Sequence, residues 1–91
     1  MDETGVVRVR YWAAARAAAG TAEDVVEVTG PVTLSELRAD VVRRHAGSRL
    51  EDVIKVCSVL VGDRPVSALD PAAVQVRPGD TVEFLPPFAG G

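Results

Sequence analysis

Thr33-Leu34-Ser35-Glu36-Leu37-Arg38-Ala39-Asp40-Val41-Val42-Arg43-Arg44-His45 is the clearest helical signal in the chain, and its reading decides the fold class. Thr33 and Glu36 have the spacing of a capping box, with Thr33 as N-cap and Glu36 at the third helical position, each able to satisfy a backbone N–H near the other. Leu34, Leu37, Val41 and Val42 fall at i, i+3, i+7 and i+8, one apolar stripe that must be buried against something. Arg43, Arg44 and His45 sit where positive charge suits the helix C-terminus, and Gly47 is the expected stop. His45 is expected to be a surface residue favoured by the helix dipole, not a base.

Toward the N-terminus the period changes from helical to alternating. Val7, Val9 and Tyr11 point one way and Arg8, Arg10 and Trp12 the other, which predicts a half-buried strand over Val6 to Trp12. Ala13 to Ala19, interrupted only by Arg16 and followed by Gly20, predicts a short helix. Asp24 to Thr29 reads as a second strand, punctuated by Gly30-Pro31.

Toward the C-terminus, Leu50 to Ile54 suits one further helical turn. Cys57 to Val61 is an apolar run suited to a buried strand, and Gly62-Asp63 a hairpin turn returning through Arg64 to Val66. Leu69 to Val76 stays open between a turn and a short 3₁₀ segment. Arg77-Pro78-Gly79-Asp80 fits a type II turn, with proline and then glycine at the central positions. Thr81 to Leu85 is a last strand with Val82 and Phe84 on one face, and Pro86-Pro87 ends it because neither can donate to a ladder. The expected architecture is α+β: a mixed sheet packed on one main helix, with a short extra helix. Residues 1–85 form the domain and residues 86–91 a flexible tail.

The bulk properties narrow the function classes. Ninety-one residues make one domain, and 47% hydrophobic with 25% charged residues is a globular composition. A net charge of −3 argues against nucleic acid and anionic membrane as partners, since both reward clustered cations. Cys57 is the lone cysteine, so a disulfide within the chain and a four-cysteine cluster are both excluded. Its apolar run makes it a small core residue by expectation. The acidic start, Met1-Asp2-Glu3, is unlike a secretory signal, and no apolar stretch approaches the roughly 20 residues of a membrane span, so a cytoplasmic protein is expected. Lys55 is the sole lysine, which weighs against lysine-linked chains of the protein itself.

Pro86-Pro87-Phe88-Ala89-Gly90-Gly91 has a composition suited to chemistry in another protein. The prolines stiffen the exit from the last strand, and Phe88 offers one apolar handle. Ala89, Gly90 and Gly91 carry almost no side chain, so the backbone fits a narrow channel. A terminal carboxyl with a pKa of roughly 3.5 is ionised at neutral pH and can attack the α-phosphate of ATP if a partner supplies Mg²⁺ and cationic side chains. A terminal Gly-Gly of no consequence remains the plain alternative, although chance places glycine at both positions in only roughly 0.5% of chains.

Two motifs resemble the MoaD/ThiS family of sulfur carriers, which share the ubiquitin-like β-grasp fold. One is Tyr11-Trp12-Ala13-Ala14-Ala15-Arg16-Ala17-Ala18-Ala19-Gly20, an aromatic-aromatic-alanine opening followed by arginine and glycine. The other is the Gly79-Asp80 turn with the last strand, Pro86-Pro87 and Gly90-Gly91. Ala17 departs from the pattern, where the family often has an acid. Within the family the chain looks most like the branch that forms the small subunit of molybdopterin synthase. That resemblance implies a cycle in which no cofactor is bound by the chain. An E1-like adenylyltransferase (MoeB-like), using ATP and Mg²⁺, would adenylate Gly91. A sulfurtransferase system would convert it to a thiocarboxylate. The tail would then enter the large subunit of molybdopterin synthase (MoaE-like), where catalysis resides. Gly91 is the reacting position, and Gly90, Ala89, Phe88, Pro87, Pro86 and Leu85 are the expected partner contacts. Val59 and Val61, with Leu85, are a further expected contact on an exposed sheet face.

Two rival readings stay open at this stage. One is a sister carrier for thiamine or cysteine synthesis, which shares the Gly-Gly end but not the Tyr11 to Gly20 segment. The other is a ubiquitin-like interaction domain with an inert tail.

Overall fold

The computed structural model describes residues 4–87. The elements, in order, are β1 (Thr4–Tyr11), α1 (Ala13–Ala19), β2 (Glu23–Thr29), β3 (Val32–Thr33), α2 (Leu34–Arg44), α3 (Leu50–Ile54), β4 (Ser58–Val61), β5 (Arg64–Pro65), β6 (Gln75–Val76) and β7 (Thr81–Leu85). Five strands form a sheet in the order β2-β1-β7-β4-β5, and β3 pairs with β6 in a separate two-stranded ladder. Only the contact of β1 with β7 is parallel, so the sheet is mixed. The topology is the ubiquitin-like β-grasp, with α2 held across one face.

The alternation read in β1 sets that face. Val7, Val9 and Tyr11 are buried together with Val26 and Val28 of β2, Val59 and Val61 of β4, and Val82 and Phe84 of β7, all against Leu34, Leu37 and Val41 of α2. The capping box at Thr33 is present: its hydroxyl accepts from Glu36 N–H at 3.0 Å, and Glu36 Oε1 accepts from Thr33 N–H at 3.1 Å. The bonds that Thr33 N–H and, at 3.0 Å, the Thr33 hydroxyl donate to the carboxylate hold Glu36 below its ordinary range. α1 is predominantly alanine and closes with Gly20 in the left-handed region, φ 76°.

Several expectations need correcting. α2 ends at Arg44 with His45 as its cap, whose N–H reaches the carbonyls of Val41 and Val42. Gly47, with φ 87°, lies in the turn beyond. His45 is not a plain surface residue but packs inward on Tyr11 and Asp24. Cys57 is half-buried one residue ahead of β4, and its Sγ–H donates to Val53 O at 3.2 Å. The undecided stretch after Leu69 turns at Pro71 to Ala73 and then forms β6, whose Val76 pairs with Val32.

The Arg77 to Asp80 turn forms as expected. Gly79 takes φ 94°, open to glycine without steric cost, and Asp80 N–H donates to Arg77 O at 3.0 Å. The turn is stitched to β1 by Gly79 N–H to Val6 O and Arg8 N–H to Asp80 O. A Cβ on Gly5 would lie 2.9 Å from Pro78 Cβ, so only glycine permits this close approach. The stitching delivers β7 into the middle of the sheet.

Candidate functional site

β7 is a central strand. β1 flanks it in parallel, with Tyr11 opposite Phe84, and β4 flanks it antiparallel, with Ser58 opposite Leu85. The chain therefore leaves the sheet from its best-anchored position, and Pro86 and Pro87 follow directly. Leu85 and Pro86 are half-buried and Pro87 is exposed. Phe88, Ala89, Gly90 and Gly91 lie outside the described residues.

The ground around the exit is built by the corner between β1 and α1. Trp12 N–H donates to Phe84 O at 3.2 Å, and its indole Nε1–H donates to Glu83 Oε1 at 2.9 Å. The Arg10 guanidinium lies 5.2 Å from the indole ring centroid, a cation–π distance. Ala13 turns the chain with φ 48°, a conformation unusual for a residue with a Cβ and held here by the bonds of Trp12 on one side and α1 on the other. Trp12, Ala13, Leu85 and Pro86 together line a hollow of about 180 Å³ at the point of exit. Trp12 is 40% exposed, a large apolar surface left facing solvent beside the tail.

Of the expected Val59, Val61 and Leu85 contact, Leu85 alone faces outward. Val59 and Val61 are 6% and 9% exposed and belong to the core. The pairing of Val59 with Phe84 and of Val61 with Val82 puts them on the inner face, which leaves Ser58 and Leu60 outward. The outer face instead carries Arg8, Arg10, Trp12, Leu60, Glu83 and Leu85. Trp12, absent from the expected contacts, stands beside Leu85 and Pro86 at the exit. Its outward phase was legible in the sequence, but its position beside Leu85 depends on the parallel pairing of β1 with β7.

Away from the exit, Tyr11, Asp24 and His45 form a cluster beneath the inner face. Tyr11 O–H donates to Asp24 Oδ2 at 2.7 Å, and His45 Nε2 meets the same oxygen. The Tyr11 ring stacks near Phe84, with centroids 6.3 Å apart, and meets His45 edge-on. Burial, then the bond and charge of Asp24, raise the Tyr11 pKa. Burial alone would raise Asp24, but the bonds from Tyr11 and His45 and the charges of His45 and Arg44 outweigh it and hold the carboxyl below its ordinary range. Burial pushes the Cys57 thiol up to about 11, which keeps it a poor nucleophile. Among the described residues no cluster of His, Cys, Asp and Glu could hold a metal ion, and no helix is long and apolar enough to cross a membrane.

The sequence model of the ThiS family matches residues 9–91. The molybdopterin synthase sulfur carrier subunit of Chlamydomonas reinhardtii is 29% identical over 85 residues, covering 93% of this chain and 98% of that protein. Among solved structures, SAMP1 from Haloferax volcanii superposes with a TM-score of 0.77 at 20% identity, covering 96% of this chain and 100% of that one. A chain in the complex of subunits 1 and 2 of the molybdopterin-converting factor from Helicobacter pylori 26695 gives a TM-score of 0.64 at 24% identity, covering 94% and 99%. At those identities the two structures speak to the fold.

Proposed function

This chain belongs to the ThiS family, the ThiS/MoaD sulfur carriers, and from that premise we propose that it is the sulfur-carrier subunit of a molybdopterin synthase. The observation that carries the finer reading is the near full-length match to the algal molybdopterin synthase carrier. The Tyr11 to Gly20 segment supports it, because Trp12 and Ala13 of that segment line the hollow at the tail's exit.

In this reading the domain of residues 1–85 is a handle and the tail of residues 86–91 is the reagent. An E1-like adenylyltransferase holding ATP and Mg²⁺ receives the tail. A carboxylate oxygen of Gly91 attacks the α-phosphorus, the bond to the β-phosphate oxygen breaks, and pyrophosphate leaves. A sulfurtransferase system then delivers sulfur at the thiol level to the acyl carbon, and AMP leaves with the carboxylate oxygen. Gly91 becomes a thiocarboxylate. In the large synthase subunit that sulfur is donated to form one arm of the dithiolene of molybdopterin, and hydrolysis returns the carboxylate. The small residues Ala89, Gly90 and Gly91 let the end reach both active sites, and Phe88, Pro87, Pro86 and Leu85 contact the partners. Trp12 joins them, since burying its exposed ring adds apolar area to the interface. The partners are proteins, not nucleic acid or membrane, and the setting is cytoplasmic.

Intact mass spectrometry tests the first half. Incubation with ATP, Mg²⁺, an E1-like enzyme and a sulfur source is expected to exchange one oxygen for sulfur at Gly91. Reconstitution tests the second half: loaded chain, a large synthase subunit and cyclic pyranopterin monophosphate are expected to yield molybdopterin. Loading without product would leave a carrier of another pathway, such as thiamine or cysteine synthesis. No loading at all would return the chain to a docking domain.

A further inference from the structure

The two edges of the main sheet differ. β5 is two residues long and contains Pro65, which blunts it as a template for another strand. β2 runs for seven residues without a proline, and β1 is its one strand partner. Tyr11 N–H bonds Ala22 O, so the antiparallel alternation turns Asp24, Val26 and Val28 toward β1. The backbone groups of Glu23, Val25, Glu27 and Thr29 face the open edge. Side chains already occupy part of it: Arg44 Nη1 donates to Val25 O at 3.2 Å and Thr21 Oγ1 donates to Glu23 O at 3.2 Å. The N–H of Val25 and both backbone groups of Glu27 have no partner among the described residues.

Beside this edge, between β2 and α2, runs a groove of about 390 Å³. Val26, Val28 and Leu37 form its floor but belong to the core, so Val32 and Ala39 are its accessible apolar lining, and Glu27 and Glu36 stand at its rim. Asp40 is already bridged by Arg43 at 2.6 Å and by Arg44 at 2.9 Å, so Glu27 and Glu36 carry the groove's charge. Glu27 has no ion pair or hydrogen bond from its side chain among the described residues. A second copy is a poor occupant, because pairing two β2 edges about a two-fold axis brings the two copies' Glu27 side chains together on one short ribbon without a cation between them.

We propose that the edge of β2 and the groove beside it bind an extended segment of a partner protein in which β-branched and basic residues alternate. The backbone of that segment extends the sheet by bonding Val25 and Glu27. Its apolar side chains, on the inner side, meet Val32 and Ala39. Its basic side chains, on the outer side, flank Glu27. The site lies across β1 from β7, so it can be filled while the tail is engaged elsewhere, and it stands whether or not the sulfur-carrier reading does.

The test is titration of the isotope-labelled full chain with acetylated, amidated synthetic peptides, followed by NMR and amide exchange. One peptide alternates valine and arginine. A second holds the same residues in two blocks, and a third alternates valine and glutamate. The alternating valine–arginine peptide is expected to shift residues of β2 and α2, to protect the amides of Val25 and Glu27, and to bind at least about fivefold more tightly than the block peptide. Glu27→Arg, shown by melting to be folded, is expected to reverse the preference toward the valine–glutamate peptide. Equal binding of the block peptide, shifts centred on Trp12 and Leu85, the absence of saturable binding, or sedimentation showing that β2 pairs with a second copy instead would each overturn the proposal.

Discussion

The two faces of β7 make opposite use of five consecutive residues. Val82 and Phe84 are fully buried against the helix side of the sheet, while Thr81, Glu83 and Leu85 face the other way and stay half-exposed. The inner residues hold the strand in place through contacts with Tyr11 and α2. The outer ones, with Trp12 from the neighbouring corner, form the surface from which the tail departs. A central strand can therefore anchor a tail firmly on one face and present it to a partner on the other, and the two roles are separable by mutation.

The sharpest way to break this division is to leave the body alone and block its end. A tryptophan appended after Gly91 is expected to abolish thiocarboxylate formation in the mass-spectrometric assay while leaving the melting temperature unchanged. Loading of that variant would remove the tail from the mechanism. Next in size is the inner face. Phe84→Ala empties a fully buried site and is expected to cost about 3–5 kcal/mol in urea denaturation. A smaller loss would mean that Tyr11 and Val59 close over the void.

The outer face should behave in the opposite way. Trp12→Ala and Phe88→Ala are each expected to weaken binding of the large synthase subunit and of the activating enzyme by about 1.5–3 kcal/mol in calorimetry, the scale of one apolar side chain buried at an interface. Trp12→Ala should change folding stability by less than about 1 kcal/mol, because its indole bond to Glu83 is solvent-exposed. Unchanged affinity would confine the partner contact to the backbone of the tail.

Two smaller effects probe the cluster behind Phe84. Tyr11→Phe removes the hydroxyl that donates to Asp24 and is expected to cost about 1–2 kcal/mol. The pH dependence has a definite sign. Asp24 is held below its ordinary range in the folded protein, so its contribution is present above the pKa of the unfolded carboxyl and is lost as pH falls through the folded value. Melting curves of Asp24→Asn and the native chain should accordingly differ at neutral pH and converge in acid.

The elements whose reading succeeded are those governed by local rules. Thr33 and Glu36 satisfy backbone groups within one turn of each other, Gly20 takes the conformation that ends α1, and the Gly79 turn is closed by bonds between Arg77 and Asp80 before β1 adds its own. The phase of β1 was legible because Arg8 and Arg10 would be costly on the buried face. β4 was harder. Ser58-Val59-Leu60-Val61 is apolar on both sides of the alternation, so nothing in it says which pair faces inward, and its pairing with Val82 and Phe84 made the choice. β3 and β6, two residues each, carry too little pattern to be seen. His45 was misplaced for a related reason: the cap of α2 lies near Asp24, twenty-one residues away, only after β2 is laid beside β1.

The sequence alone determined an α+β order of strand, short helix, strand, long helix and later strands, the amphipathic face of α2, and the small-residue run Ala89, Gly90 and Gly91, because capping, periodicity and glycine or proline backbone limits act over a few residues. Only the tertiary structure decided that Trp12 stands beside Leu85, that Val59 and Val61 turn inward, and that Tyr11, Asp24 and His45 meet. Those outcomes depend on which strands pair and in what register, and pairing is settled by burial summed over the whole sheet.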